Sequence, residues 1–317
     1  MRAGDVIRGY RIVTEPTNSG GGRCVWAFAE RDGRPYFIKR FLDPKRPKSG
    51  SAASVRARLR ACEEFERRHR AIMSRLRHDA VGAGNLVLAC DFFHHGASYY
   101  KVTERIDAVG TPRPGSLTAA EKAVLLRTLA LSLGLLHAIG LVHGDLKPGN
   151  VLIVKRGKGA FHTAKLIDFD DAYVSGRPPD REDIAGDLVY GAPEWRRYVR
   201  GDEDVRPEWL TTGADVFALG LLAHHYLTGA LPGFGDRFGS PADAVNAGTA
   251  LRLDDRLCAP MRDLLGAMTA RTPGARPGTA AFLEALRNPA VCELRSRYVT
   301  SPGSRVRISM RTEENQP

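Results

Sequence analysis

The stretch Leu141-Val142-His143-Gly144-Asp145-Leu146-Lys147-Pro148-Gly149-Asn150-Val151-Leu152-Ile153 restricts the fold more than any other part of the chain, because two apolar runs flank a turn carrying an acid, an amine and an amide. A second apolar run, Leu166-Ile167, ends in Asp168-Phe169-Asp170, with Asp168 placed 18 residues after Asn150. Apolar runs of this kind belong in a core, so the polar groups at their ends collect at one edge of it. Two acids and an amide therefore converge. Hard cations take carboxylate and amide oxygens, which makes Asn150 and Asp168 candidate Mg²⁺ ligands and leaves Asp145 to accept a proton from a hydroxyl nucleophile.

The rest of the chain divides by pattern. From Val6 to Phe41, short β-branched or aromatic runs (Tyr10 to Val13, Cys24 to Ala29, Tyr36 to Lys39) alternate with Gly-rich and charged breaks, and Asp32-Gly33 separates the last two. That predicts a three-stranded antiparallel meander. Asp43 to Ser54, rich in Lys, Pro, Gly and Ser, reads as a mobile basic loop. Val55, Leu59, Cys62, Glu66, His69, Met73 and Leu76 then recur at alternating steps of 4 and 3, the stripe of one long helix. Strand-like runs at Leu86 to Phe93 and Ser98 to Ile106 precede a Pro/Gly-rich connector, Gly110 to Gly115. Beyond it the chain is mostly helical. Thr118 and Glu121 form a capping box ahead of a helix, apolar on nearly every side, that runs to about Ile139; further helices are predicted at 213–228 and 279–287. Val306, Ile308 and Met310 alternate with polar residues near the end, as a short strand or as nothing, and the final seven residues read as disordered.

Charge is unevenly spread. The chain carries 47 Lys and Arg against 36 Asp and Glu, and residues 1–80 hold 19 of the former and 9 of the latter. Within residues 40–77 the count is 12 against 4, which is either a solvated face or a surface for an acidic partner. No aromatic interleaving accompanies it, so nucleic acid is not expected. Five widely spaced cysteines without a Cys-x-x-Cys pair argue against a disulfide framework or a zinc site and suit a reducing, cytoplasmic setting. Neither a signal peptide nor a membrane span is expected, since the longest charge-free runs contain His, Gly or Pro.

These residues resemble the eukaryotic-like Ser/Thr protein kinases of bacteria, over roughly residues 6–288. The family's His-Arg-Asp-Leu-Lys-Pro-x-Asn is matched by His143 to Asn150, with Gly144 in place of Arg, and its Asp-Phe-Gly by Asp168-Phe169-Asp170. Ala192-Pro193-Glu194, Asp215 with the apolar run after it, and Arg276-Pro277 match three later motifs. The resemblance implies an α+β, bilobal fold: a small antiparallel β-sheet lobe with one long helix at 1–106, a larger mainly helical lobe at 107–290, and a basic tail at 291–317. It implies ATP and Mg²⁺ as cofactors, Asp145 as catalytic base, Lys147 on the transferred phosphate, and Asn150 and Asp168 on Mg²⁺. It also implies that Lys39 holds the ATP phosphates and is itself held by a helix glutamate. Family spacing puts that glutamate near His69, which cannot serve, so Glu66, one turn earlier on the buried stripe, is the choice over Glu63 and Glu64. Gly20, Gly21, Gly22 and Val25 would form the phosphate loop, and Thr103, Glu104 and Ile106 the adenine-side hinge, with Glu104 and Ile106 contacting through backbone. Glu194 and Arg276 would pair as a structural bridge. Asp215 would be structural as well, although Thr212 and Asp215 also read as an ordinary helix cap.

Departures from the family pattern bear on regulation. Gly144 removes an Arg that pairs with a loop phosphate in many members, and Ser175 is the only aliphatic hydroxyl between Asp168 and Glu194, so activation by loop phospho-threonine is not expected. Asp187 stands where a Thr is usual and would either pair with Lys147 or repel Asp145. Asp170 in place of Gly would stiffen the metal motif or add a metal ligand. The implied function is Mg·ATP-dependent transfer to Ser/Thr hydroxyls of a protein substrate, acidic if the basic front recruits it. Two alternatives stand beside it: a small-molecule kinase of the aminoglycoside or choline type, which shares the His-Gly-Asp and Asp-Phe-Asp spellings, and a pseudokinase scaffold. Substrate, activating signal and oligomeric state are not legible.

Overall fold

The computed structural model of the chain describes residues 1–20, 22–76, 83–107, 113–155 and 161–296. The first lobe is a six-stranded antiparallel sheet built from Val6–Ile7 (β1), Tyr10–Ile12 (β2), Cys24–Arg31 (β3), Arg34–Phe41 (β4), Ala89–His95 (β5) and Ser98–Glu104 (β6), in the order β1-β2-β3-β4-β6-β5. The expected three-stranded meander is there, extended by the short β1. Asp32 and Gly33, at φ of 52° and 70°, supply the two left-handed residues that a tight β3–β4 turn requires, as the Asp-Gly pair predicts.

Helix α1, Ala52–Arg75, lies on this sheet. Of its predicted stripe Cys62, His69 and Leu76 are buried, and Ile72, beside the half-buried Met73, is buried as well. Phe65 joins Phe41, Phe92 and Tyr99 in a ring cluster with centroids 5.0–6.5 Å apart, so aromatic packing ties the helix to β4, β5 and β6. The β4–α1 loop is not the free basic segment expected from its composition. Its Arg46 donates from the backbone to Ala97 O at 2.9 Å and from Nε to the Tyr99 hydroxyl at 3.0 Å.

The second lobe is organised around α2, Ala119–Ala138, which starts at the predicted capping box: Thr118 N donates to Glu121 and Glu121 N to Thr118 Oγ1. Leu125, Leu126, Leu129 and Leu133 on α2 are fully buried. Around it stand the strand pairs Leu141–Val142 (β7) with Tyr173–Val174 (β10) and Val151–Lys155 (β8) with His162–Leu166 (β9). Helices Pro193–Val199 (α3), Gly213–Thr228 (α4), Pro241–Asn246 (α5), Ala259–Met268 (α6) and Thr279–Ala285 (α7) complete the lobe. One continuous core joins β7, β8 and β9 to α2, α4, α6 and α7. The chain is thus bilobal, a curled sheet with one long helix joined to a mainly helical body.

Residues 291–296 belong to that body and not to a separate tail: Cys292 is 2% exposed, and Leu294 bridges to Leu257. Val306, Ile308 and Met310, the first half of the connector Gly110 to Gly115, and the middle glycine of the triplet, Gly21, lie outside the described residues. Among the described residues no helix is long and apolar enough to cross a membrane.

Candidate active site

The turn between β7 and β8 carries Asp145, Lys147 and Asn150, and its shape is fixed from beneath. Asp215, in the first turn of α4 and 2% exposed, accepts hydrogen bonds from His143 N (2.8 Å) and Gly144 N (3.1 Å), and His137 Nε2 stands 3.0 Å away. Asp215 is therefore an anchor for this turn, and the capping alternative falls away, since Thr212 makes no side-chain cap bond. His143 is fully buried, with Nε2 3.0 Å from Ile167 O and its ring centroid 5.3 Å from that of Phe169, which locks the turn to the segment carrying Asp168. Gly144 has φ +81°, and a Cβ there would stand 2.6 Å from Asp171 O. The glycine is the residue this conformation demands, whatever an Arg does elsewhere.

Above the turn, Asp145 Oδ2 accepts from Lys147 Nζ and from Asn150 Nδ2, each at 2.8 Å. Asn150, 6% exposed, also donates to Asp145 O at 2.7 Å, so its amide nitrogen faces the acid and its oxygen is the atom it would offer a cation. Burial would lower the Lys147 pKa, but its hydrogen bond to Asp145 and the charges of Asp145 and Asp187 outweigh that and raise it. Asp187 Oδ2 lies 3.6 Å from Lys147 Nζ, while its Oδ1 accepts from Val189 N (2.8 Å) and Tyr190 N (3.1 Å). Of its two expected behaviours, the geometry is that of a partner for Lys147.

From the sheet side, Lys39 on β4 reaches across the cleft to Asp168 Oδ2 at 2.5 Å and Asp170 Oδ2 at 3.1 Å. Asp168 has φ +64°, a left-handed conformation that Asp tolerates better than most residues. Its Oδ1 is buried without a hydrogen-bond partner. An orphaned carboxylate oxygen, on a segment joined to Asn150 by the bond from Ile167 N to Asn150 O at 3.0 Å, fits a divalent cation, which would satisfy it. Gly20 and Gly22, both at positive φ with open space where a Cβ would stand, lie between β2 and β3 just ahead of Val25, as a phosphate-cradling loop requires. Thr103 and Glu104 end β6, and Ile106 follows it, on the edge where the sheet gives way to the second lobe.

Glu66 is not where the resemblance implies. Its carboxylate is bound by Arg46 and, at 2.7 Å, by the Tyr99 hydroxyl, so it closes the β4–α1 loop onto the helix and does not reach Lys39. The physical reason is the next turn of the stripe. His69 is 3% exposed, its ring 5.1 Å or less from those of Phe41, Phe65 and Phe92, and its Nε2 has no partner. Burial, then the nearby Lys101, push its pKa down to about 3, so it sits there neutral. What α1 does send toward the site is Arg68, whose Nη2 donates to Asp170 O at 2.9 Å.

Sequence reasoning missed Lys101. It lies directly opposite Lys39 in the β4–β6 register and donates to Asp170 Oδ1 at 2.5 Å. The available signal was a lysine in the interior of a strand flanked by Tyr99, Tyr100 and Val102, where an unpaired cation is not tolerated. Two ammonium groups and two carboxylates thus form one partly buried cluster. Burial tends to raise Asp170, yet Lys101 and Lys39 hold it well below the usual carboxylate range; Asp168, which has one of these partners, is raised by burial and by the charge of Asp170. Burial alone would lower Lys39, and Asp170 and Asp168 reverse that. Asp171 is pushed up to about 6 by burial, then by Asp170.

Further down, Glu194 and Arg276 form a two-pronged pair, Nη1 to Oε1 and Nη2 to Oε2 at 2.7 Å each, buried between α3, α4 and the turn before α7. This is the acid–arginine pair that the resemblance implies, and it joins α3 to the turn before α7. Residues 20–288 match the protein kinase domain over most of the chain. The chain belongs to the protein kinase family. Among curated relatives, the kinase domain is 30% identical over 233 residues to the serine/threonine-protein kinase pkn2 of Myxococcus xanthus, covering 72% of this chain and 25% of that protein. It is 32% identical over 171 residues to the serine/threonine-protein kinase PkaA of Streptomyces coelicolor (52% and 28%) and 27% identical over 166 residues to the serine/threonine-protein kinase PknA of Corynebacterium glutamicum (52% and 32%). The chain therefore spans between about a quarter and a third of the length of these relatives.

Proposed function

We propose that the chain transfers the γ-phosphoryl group of Mg·ATP to serine or threonine hydroxyls of protein substrates, and does so without a phosphorylated threonine in the activation segment. The observation that carries this reading is a turn, held rigid by Asp215 and His143, that gathers Asp145, Lys147 and Asn150 and is tied through His143 and Ile167 to the segment of Asp168, which Lys39 meets from the opposite lobe. Phosphoryl transfer asks little covalent chemistry of the protein, so placing these groups accounts for most of the rate. Asp145 accepts the hydroxyl proton of the substrate. Lys147, beside it, neutralises charge gathering on the transferred group, and the Gly20–Gly22 loop and Lys39 hold the phosphate tail. Bound between Asn150 and the free oxygen of Asp168, Mg²⁺ would draw charge from the phosphate oxygens. Independence from loop phosphorylation is supported by Gly144, which carries no cation, and by Ser175, whose Oγ is already engaged at 3.3 Å by Thr212 N.

The Glu194–Arg276 bridge favours a protein substrate over a small alcohol, because it fixes the platform beneath Leu188 and Val189, which are exposed beside the site. The test is incubation of the purified chain with Mg·ATP and a generic protein substrate, with Asp145→Asn and Asp168→Ala in parallel. Phosphoserine or phosphothreonine forms and is lost in both variants. Transfer to aminoglycosides or choline alone would replace the proposal by the small-molecule reading.

A further inference from the structure

Lys39 has to be held for the cleft to work, and α1 provides no carboxylate to hold it. Glu66 is committed to Arg46 and Tyr99, and the position one turn on is a neutral histidine packed among phenylalanine rings. Asp170 lies on the opposite lobe, 131 residues along the chain from Lys39, and its two oxygens are divided between Lys39 at 3.1 Å and Lys101 at 2.5 Å. The two lysines are Cα partners on adjacent strands, so one carboxylate inserted between their ammonium groups fixes both. Asp170 is itself fixed, since Arg68 grips its carbonyl and Lys101 its side chain. A single lysine needs one counter-charge from the helix. A lysine pair presents two cations, and these draw the carboxylate of the metal motif upward into the sheet.

We propose that Asp170 is the positioning residue for Lys39 and Lys101 its obligatory partner, so that the phosphate-binding lysine is set by the metal motif and not by helix α1. When Asp168 turns to a cation, Asp170 remains on Lys39 and keeps it aimed at the cleft. The position of α1 then cannot switch Lys39 on or off through a glutamate, and the helix acts on the site through Arg68 alone. The consequence for catalysis rests on the phosphoryl-transfer reading above, whereas the pairing does not.

The test separates the two. In the full chain without nucleotide or metal, the ammonium groups of Lys39 and Lys101, held in partly buried ion pairs, are followed by ¹H–¹⁵N NMR at low temperature, where exchange is slowed, with Lys39→Met and Lys101→Met assigning the signals. Asp170→Asn shifts the Lys39 signal, although Asp168 at 2.5 Å still pairs with the lysine in the metal-free chain, and Glu66→Gln leaves it in place. The reverse pattern overturns the proposal. Should Asp170→Asn alone melt too low to study, Asp170→Asn with Lys101→Met restores the charge balance. The Lys39 signal must still move in that variant, and a Lys39 signal unchanged there overturns the proposal; the Glu66→Gln arm is decisive in either case. In turnover, Asp170→Asn lowers kcat by about a hundredfold while the KM for ATP changes far less, the mark of a misplaced group and not of lost uniform binding. A wild-type chain that resolves both ammonium signals yet transfers no phosphate would refute the kinase reading and leave the pairing standing.

Discussion

Replacing Arg276 by Met will cost the protein about 4–5 kcal/mol of folding stability, the upper part of the range for breaking a buried ion pair. The magnitude follows from how completely this arginine is used. Its side chain is 0% exposed and that of Glu194 is 3% exposed. All five of its N–H groups have acceptors: the two Glu194 oxygens, Gly213 O at 2.8 Å, Ala270 O at 2.8 Å and Arg271 O at 3.1 Å. Methionine fills much of the volume beside Phe217 but leaves a carboxylate buried with no cation and removes one donor from each of three carbonyls. Glu194→Gln is milder, about 2–3 kcal/mol, because the amide keeps one acceptor for the guanidinium. Glu194→Leu with Arg276→Met removes both charges and is expected to cost less than Arg276→Met alone. The assay is equilibrium urea unfolding followed by circular dichroism at constant pH, with midpoints compared at a common slope. A loss under about 1 kcal/mol for Arg276→Met, or a double variant whose cost equals the sum of Glu194→Leu and Arg276→Met to within about 0.5 kcal/mol, would refute the claim that this pair is desolvated and coupled.

Acid will destabilise the protein through His69. Its pKa in the fold, about 3, lies below the ordinary 6.5, so the neutral form is the folded one. The associated stability is complete above pH 6.5 and is lost as pH falls toward 3, reaching a loss of about 2 kcal/mol at pH 5. His69→Phe should flatten the difference in urea stability between pH 7 and pH 5 by about that amount, and an undiminished difference would mean another group controls it. Gly144→Arg will not install phosphorylation control: with φ +81° and Asp171 O 2.6 Å from the new Cβ, the strain of about 1–3 kcal/mol displaces the Asp145 turn and lowers kcat. A gain of activity in that variant would contradict it. Asp187→Asn keeps the turn to Val189 and Tyr190, and its ion pair is about a third open to solvent and worth about 0–1 kcal/mol, so kcat should stay within about threefold of wild type. A larger rise would show that Asp187 opposes Asp145 after all.

The lobes were legible because their signals are local. The Asp32-Gly33 turn, the Thr118–Glu121 capping box, the stripe of α1 and the apolar run 213–228 each state their structure within a few residues, and each formed as read. The turn carrying Asp145, Lys147 and Asn150 was legible for the same reason. What escaped depends on contacts far apart in sequence. The partner of Lys39 could not be read from α1, because an acid 131 residues away competes for the lysine and a second lysine on a neighbouring strand tips that competition. Arg46 sits in a segment whose composition spells a free loop, and only the meeting of β6 with α1 gives it Tyr99 and Glu66 to hold. Residues 291–296 look like the start of a basic tail until Leu294 meets Leu257. Periodicity places a side chain on a face; which charge waits opposite is decided by the fold.

The rate of phosphate transfer in a single turnover, at saturating Mg·ATP, addresses the acid in the catalytic turn most directly. With Asp145→Asn the rate should drop by about 10²–10⁴, the range for a lost general base, while nucleotide affinity changes far less, because the amide can still bond Lys147 and Asn150 and because Lys39, which holds the phosphate tail, is bonded to Asp168 and Asp170 and not to Asp145. Transfer at an undiminished rate in that variant would contradict the account.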